Sequence, residues 1–380
     1  MKDCYFRKNW ILSFFLLLSI VMLLTGCAER REDQMQISEN TGISQTMSPL
    51  EEEINLVSLT SEIAELEDGF SAVRYDGDYG FDNFLAGGGA SSDGEVIDYL
   101  AENLLSDLNL GDLLGGFFGC STIAVQSPDG QFLFGRNFDW NTCDAMVVES
   151  HPENGYASLS TVNMDFITQN AGSGVVGMAL NLDEVKTLAA LYAPLDGMNE
   201  AGLAVSVNMI QDSADIEQDT DKPDITTTTA IRLLLDKAAS VDEALELLGQ
   251  YDLHGSMGMM VHFAIADSTG RSVAVEYVDN EMIVTETPVL TNFYLAEGEK
   301  QGIGTEQSRE RYDILRSRLE EIPQMRMEDV RDALDSVSKD NFGEFESTEW
   351  SIAMNLSSGE ARYYHRENYS RNYTFRLESR

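Results

Sequence analysis

Residues 117–140 read FFGCSTIAVQSPDGQFLFGRNFDW. Cys120 stands between a glycine and the first residues of a strand pattern, STIAV. SPDG then gives a turn, and QFLFGRNF a second strand, so the stretch reads as a hairpin. A hairpin brings its two outer ends together. Cys120 opens the first strand, and Arg136 and Asp139 close the second, 16 and 19 positions later. A thiol, a guanidinium and a carboxylate can therefore meet at one edge. A neighbouring arginine favours thiolate, the nucleophilic form. A carboxylate can orient an amine or a thiol.

What this trio lacks is a base. The four histidines, His151, His254, His262 and His365, are scattered, and no spacing places one beside Cys120. A cysteine at a chain terminus carries its own base, because a free α-amino group has a pKa of about 7.7–8.0. Cleavage at Gly119–Cys120 would supply that amine, and glycine before the cysteine allows the backbone geometry that an N-to-S acyl shift needs. The bland alternatives stay open on these residues alone. Cys120 could pair with Cys143 in an exported chain. Arg136 and Asp139 could be a surface ion pair. His262, flanked by Val261 and Phe263, reads as an ordinary sheet residue, and Asn199 as a turn residue.

The chain has 380 residues, 43% of them hydrophobic, enough for one large domain or two modest ones. The formal net charge is −40, which disfavours nucleic acid and anionic membrane surfaces as partners. Cysteine and histidine spacing suggests no metal site, and no cofactor motif stands out. Lys2, Arg7 and Lys8 precede an apolar run, Trp10 to Leu24, that ends in Leu24-Thr25-Gly26-Cys27. Residues 1–26 read as a lipoprotein signal peptide, Cys27 as the lipidated residue, and 27–49 as a polar tether. The expected location is outside the cytoplasm, anchored to the cell membrane by that lipid.

Residues 50–119 are expected to be a small, mainly helical segment. Leu56, Leu59, Ile63 and Leu66 have helical spacing over 50–67, and Val96, Leu100, Leu104 and Leu108 over a second helix. From Cys120 on, strands and paired helices alternate. Two helices are expected over 226–251, the second capped by Ser240 with Glu243 three residues on. Strands are expected over 198–210, 259–286 and 349–377, and two helices over 306–338. Loops at 141–160 and 209–225 are expected to wall the pocket. The sum is an α+β domain of sheets covered by helices.

Five segments in order resemble the choloylglycine hydrolase group of N-terminal-nucleophile (Ntn) amidases, which includes bile salt hydrolases, penicillin V acylases and acid ceramidase. They are CSTIAVQSPDGQFLFGRNFDW; LDGMNEAGLAVSVNM; VLTN; SRERY at 308–312; and EWSIAMNL followed by YTFRL. The resemblance runs from Cys120 to the C-terminus. It implies a four-layer αββα sandwich over 120–380, with 50–119 as a propeptide-like segment. It puts Cys120, Arg136, Asp139, Asn208, Asn292 and Arg311 on functional positions, Asn208 and Asn292 as oxyanion donors. The implied activity is hydrolysis of linear amides such as N-acyl amino acids and amines, bile-salt-like or penicillin V-like molecules, without a cofactor. Two departures from the family pattern keep other readings open. The long stretch before Cys120 is unlike the simplest bile salt hydrolases. Asn208 falls on, or one residue from, the family position. The same site could transfer acyl groups to amines, or the fold could be an inactive ligand-binding lipoprotein. Homo-oligomers are open as well.

Overall fold

The computed structural model describes residues 53–104, 119–168, 182–339 and 346–377. The signal peptide, Cys27, the tether and Leu108 lie outside these. Among the described residues the strands form two large sheets and one small pair.

The first large sheet has seven strands. From edge to edge they are Glu53–Leu56, Arg371–Arg376, Glu360–His365, Ser347–Asn355, Phe132–Trp140, Gly119–Gln126 and Val289–Leu290. The second has nine: Glu281–Glu286, Ser272–Val278, Val261–Asp267, Leu203–Met209, Asp196–Asn199, Ser158–Asn163, Ala145–His151, Phe70–Asp76 and Ala64–Glu67. The main core lies between the sheets. Phe134, Phe138, Trp350 and Tyr363 of the first pack with Val147, Leu159, Val205 and Phe263 of the second. Helices Glu306–Glu321 and Met327–Asp335 cover the outer face of the first sheet, where Leu315, Val330 and Leu334 bury Ile123 and Leu133. Helices Thr227–Lys237 and Val241–Leu248 cover the second. The architecture is the expected αββα sandwich.

The hairpin forms as its sequence dictates. Ser127 N–H donates to the Gln131 carbonyl at 2.8 Å, and Gly130 takes φ +85°, a left-handed conformation that glycine adopts without a Cβ clash. The register pairs Gly119 with Asp139, Cys120 with Phe138 and Thr122 with Arg136. Paired residues share a face and successive residues alternate. Cys120 and Arg136 thus lie on the face toward the second sheet, while Gly119 and Asp139 lie on the face toward the covering helices.

Several expectations are met in detail. Ser240 accepts from the Glu243 N–H, and the residues 259–286 form three strands with Asp279 and Asn280 at positive φ in the last turn. The helix expected over 50–67 is not there. Glu53–Leu56 and Ala64–Glu67 are strands, and Phe70–Asp76 follows as a third. Val57, Leu59, Ile63 and Leu66 do pack on the core, but from extended backbone. Available sheet edges decide this. Glu53–Leu56 pairs in parallel with Arg371–Arg376, and Phe70–Asp76 pairs in parallel with Ala145–His151, so the ladders supply the hydrogen bonds a helix would have made internally. The helical part of this segment begins later, at Phe81–Ala86, Asp93–Tyr99 and Leu100–Leu104. The stretch 141–160 is also less irregular than expected, since Ala145–His151 is a buried strand of the second sheet. Its run AMVVESH is too short to show a period.

Candidate active site

Cys120 is fully buried. Its thiol faces the space between the sheets, where Arg136 NH2 lies 3.6 Å from Sγ. Burial pushes the thiol up to about 11, against the pull of the Arg136 and Arg311 charges, with Asp139 adding to the rise. Both cysteines that the sequence left open for a disulfide are free thiols, Cys120 and Cys143.

The backbone of Cys120 is held as tightly as its side chain. Its N–H donates to Asn292 Oδ1 at 2.8 Å, and its carbonyl accepts from Arg311 NH1 at 2.9 Å. Arg311 NH1 also donates to Asp139 Oδ2 at 3.1 Å, and NH2 to Asn292 Oδ1 at 2.7 Å. Cys120, Arg136, Asp139, Asn292 and Arg311 thus form one cluster assembled from three stretches of chain: the hairpin, the turn after Val289–Leu290 and the helix Glu306–Glu321.

Each member has a local reason for its place. Arg311 lies one turn into Glu306–Glu321, a helix started by Thr305, whose hydroxyl accepts from Ser308 N–H at 3.1 Å. The helix ladder is charged, and a solvated Arg311 would be unremarkable, but it is 5% exposed. Asn292 follows the short strand Val289–Leu290. Its N–H donates to Ser308 Oγ at 2.6 Å and its Nδ2 to the Met209 carbonyl at 2.7 Å. Beneath it, His262 Nε2 donates to the Thr291 carbonyl at 2.7 Å, and Nδ1 lies 3.0 Å from Glu276 Oε1. Glu276 also accepts from the Leu295 N–H at 2.9 Å. His262 is therefore the satisfied sheet residue its neighbours suggested, and it braces the turn that presents Asn292.

Asn208 stands apart from that cluster. It lies on Leu203–Met209 opposite His262, with Nδ2 3.5 Å from both the Leu290 and Thr291 carbonyls. Its amide points at the strand leading to Asn292. Asn199 is a strut: its amide donates to Leu235 O and Ala238 O and accepts from Ala201 and Leu203.

Three residues of the site were not singled out in the sequence. Asp196 Oδ2 lies 2.6 Å from Arg136 Nε, and both side chains are fully buried. Trp350 Nε1 donates to the same oxygen at 3.0 Å. Burial pushes the Asp196 carboxyl up while Arg136 draws it down. Thr348 Oγ1 donates to Asp139 Oδ1 at 2.7 Å, from a strand whose register shifts between Thr348 and Trp350. Lys339 Nζ is 3.9 Å from Asp139 Oδ2. Asp196 had a signal, being the acid of LDGMNEAGLAVSVNM, one of the segments that carry the resemblance. Thr348 and Lys339 had none.

Residues 120–293 match the family of linear amide C-N hydrolases, choloylglycine hydrolase family. A bile salt hydrolase/transferase of Clostridium perfringens is 29% identical over 183 residues, 46% of this chain and 53% of that protein. The chain thus spans about half the length of that curated relative. Two crystal structures of conjugated bile acid hydrolase variants from Clostridium perfringens superpose with TM-score 0.51, each over 68% of this chain and 92% of theirs, at 19% and 17% identity. At that identity the likeness concerns the fold, and the fold is the Ntn-hydrolase sandwich. The family match begins at Cys120, the residue around which the site is built.

Proposed function

We propose that this protein is an amidohydrolase that cleaves linear carbon–nitrogen amide bonds in small molecules, with Cys120 as an N-terminal nucleophile exposed by cleavage at Gly119–Cys120. The observation that carries this reading is the grip on the Cys120 nitrogen by Asn292 Oδ1 at 2.8 Å. After a cut, that nitrogen is the α-amine, already next to Asn292 and Asp139.

The proposed steps are these. The α-amine takes the thiol proton, and Sγ attacks the substrate carbonyl. Arg136 holds Sγ, and Arg311 and Asp139 fix the main chain of Cys120. Developing negative charge on the carbonyl oxygen is met by amide donors, a role that Asn292 and Asn208 take when their Nδ2 groups turn from the Met209, Leu290 and Thr291 carbonyls. The amine then protonates the leaving nitrogen, and water frees the acyl group. Candidate substrates are N-acyl amino acids and amines, bile-salt conjugates and penicillin V-like amides. The printed name of the Clostridium perfringens relative includes transferase, which favours a second outcome in which an amine replaces water. The sequence of residues 1–27 supports export and lipid anchoring at Cys27.

The experiment is a release assay on purified protein with these amides, with and without added acceptor amines, beside Cys120→Ala. The expected result is product formation abolished in the variant. Equal turnover by both proteins would remove Cys120 from the mechanism.

A further inference from the structure

This inference rests on the cleavage reading above and deepens it. Lys339 is buried at 7% exposure, unusual for so long a charged side chain. Its ammonium lies beside Gly119, the residue before the bond proposed to be cut. A Cβ placed on Gly119 would come within 2.7 Å of Lys339 Nζ and 3.0 Å of Asp139 Oδ2. The ammonium also hydrogen-bonds Glu346. Its backbone is clamped: the Lys339 N–H donates to Thr348 Oγ1 at 2.8 Å, and the Thr348 N–H to the Lys339 carbonyl at 3.0 Å. Thr348 in turn holds Asp139. Pairing with Glu346 and Asp139 offsets the cost of burying that charge, which leaves its place beside Gly119 to explain.

The first cut requires it. Before cleavage there is no α-amine, so the base of the mature mechanism is absent. Arginines do not give up protons at ordinary pH, and asparagine carries no charge. Cys120 Sγ forms a bond to the Gly119 carbonyl carbon, and the C–N bond to Cys120 breaks. The thiol proton passes to the departing nitrogen. One water then hydrolyses the thioester, leaving a Gly119 carboxylate and restoring the thiol. Negative charge appears at Gly119 twice, on the carbonyl oxygen of the tetrahedral intermediate and on the final carboxylate. Arg311 is committed to the Cys120 carbonyl and Arg136 to the thiol side. The geometry points to Lys339 as the cation that meets the charge at Gly119 in self-cleavage, and as the binding partner of the carboxylate the cut creates.

The test follows the cut in freshly purified chains by mass, with melting temperature as the check on folding. Lys339→Met is expected to slow the cut by about 100-fold, and Lys339→Arg, which keeps the charge, to stay within about tenfold of wild type. A folded Lys339→Met that cuts at the wild-type rate overturns the proposal, as does a folded Lys339→Arg as slow as Lys339→Met. If Lys339→Met does not fold, Glu346→Gln decides. It releases the ammonium from a competing carboxylate and is expected to speed the cut; an unchanged or slower cut overturns the proposal. Wild-type protein that never cuts would instead sink the cleavage reading itself.

Discussion

The carboxylate of Asp196 lies 2.6 Å from Arg136 Nε, and neither side chain has any exposure. The guanidinium therefore has three fixed ties: Asp196 at Nε, the Val207 carbonyl at NH1 (2.9 Å) and Cys120 Sγ at NH2 (3.6 Å). Asp196 belongs to the second sheet and Arg136 to the first, so this pair sets how the nucleophile hairpin sits on its partner sheet. Removing one member of a buried pair typically costs about 3–5 kcal/mol. Asp196→Asn should lower stability on that scale in denaturant unfolding, and it should slow thiol chemistry in the molecules that remain folded. Unchanged stability would mean the pair is not the tie described.

Asn292 serves three groups at once: the Cys120 nitrogen, Arg311 and the Met209 carbonyl. Asn292→Ala leaves a buried guanidinium without one acceptor and removes an amide donor from the site. Amide turnover should fall on the order of 100-fold or more, mostly in kcat. A change confined to KM would assign Asn292 to ground-state binding.

The segment before Cys120 is joined to both sheets, which bears on what a cut would release. Phe70, Val73, Tyr79, Phe81 and Phe84 are each at most 2% exposed. Tyr79 donates to Asp236 in the covering helix Thr227–Lys237. Burying each apolar side chain of this kind contributes roughly 1.5–3 kcal/mol. The two pieces of a cut chain should therefore elute together in native buffer and separate only in denaturant, as read by size exclusion with mass detection. A catalytic piece that elutes alone without denaturant would contradict this.

Glu276 gives a pH prediction. Burial works to raise its carboxyl, but the hydrogen bond from His262, that residue's charge and the Leu295 and Ala296 N–H groups outweigh it, so the value ends below the ordinary 4.5. A lowered carboxyl stabilises the folded state above its unfolded value and loses that contribution as pH falls through the folded one. The stability gap between wild type and Glu276→Gln should shrink as pH falls below 4.5. A gap that widened on acidification would reverse the sign of this argument.

The sequence carried the hairpin, the capped helix pair and the strands of the C-terminal third because each has a local signal: a turn tetrapeptide, a Ser–Glu cap, alternating apolar residues. It also pointed to Arg311 and Asn292, through short motifs in order rather than through any local pattern. It misread 50–67, where apolar spacing compatible with a helix was overridden by open sheet edges far away in the chain. Thr348 and Lys339 could not be found at all. Their contact with Asp139 exists only once a strand some 200 residues later lies beside the hairpin, separated as they are by 209 and 200 positions. Asn208 sits where its strand was expected, with its amide turned to the 290–291 carbonyls.

The most direct measurement is the intact mass of purified protein lacking residues 1–27, wild type beside Cys120→Ala. The account predicts that wild type yields a fragment beginning at Cys120 and that the variant stays whole. Wild type that remains uncut while folded would leave Cys120 without its amine, and the proposed mechanism without its base.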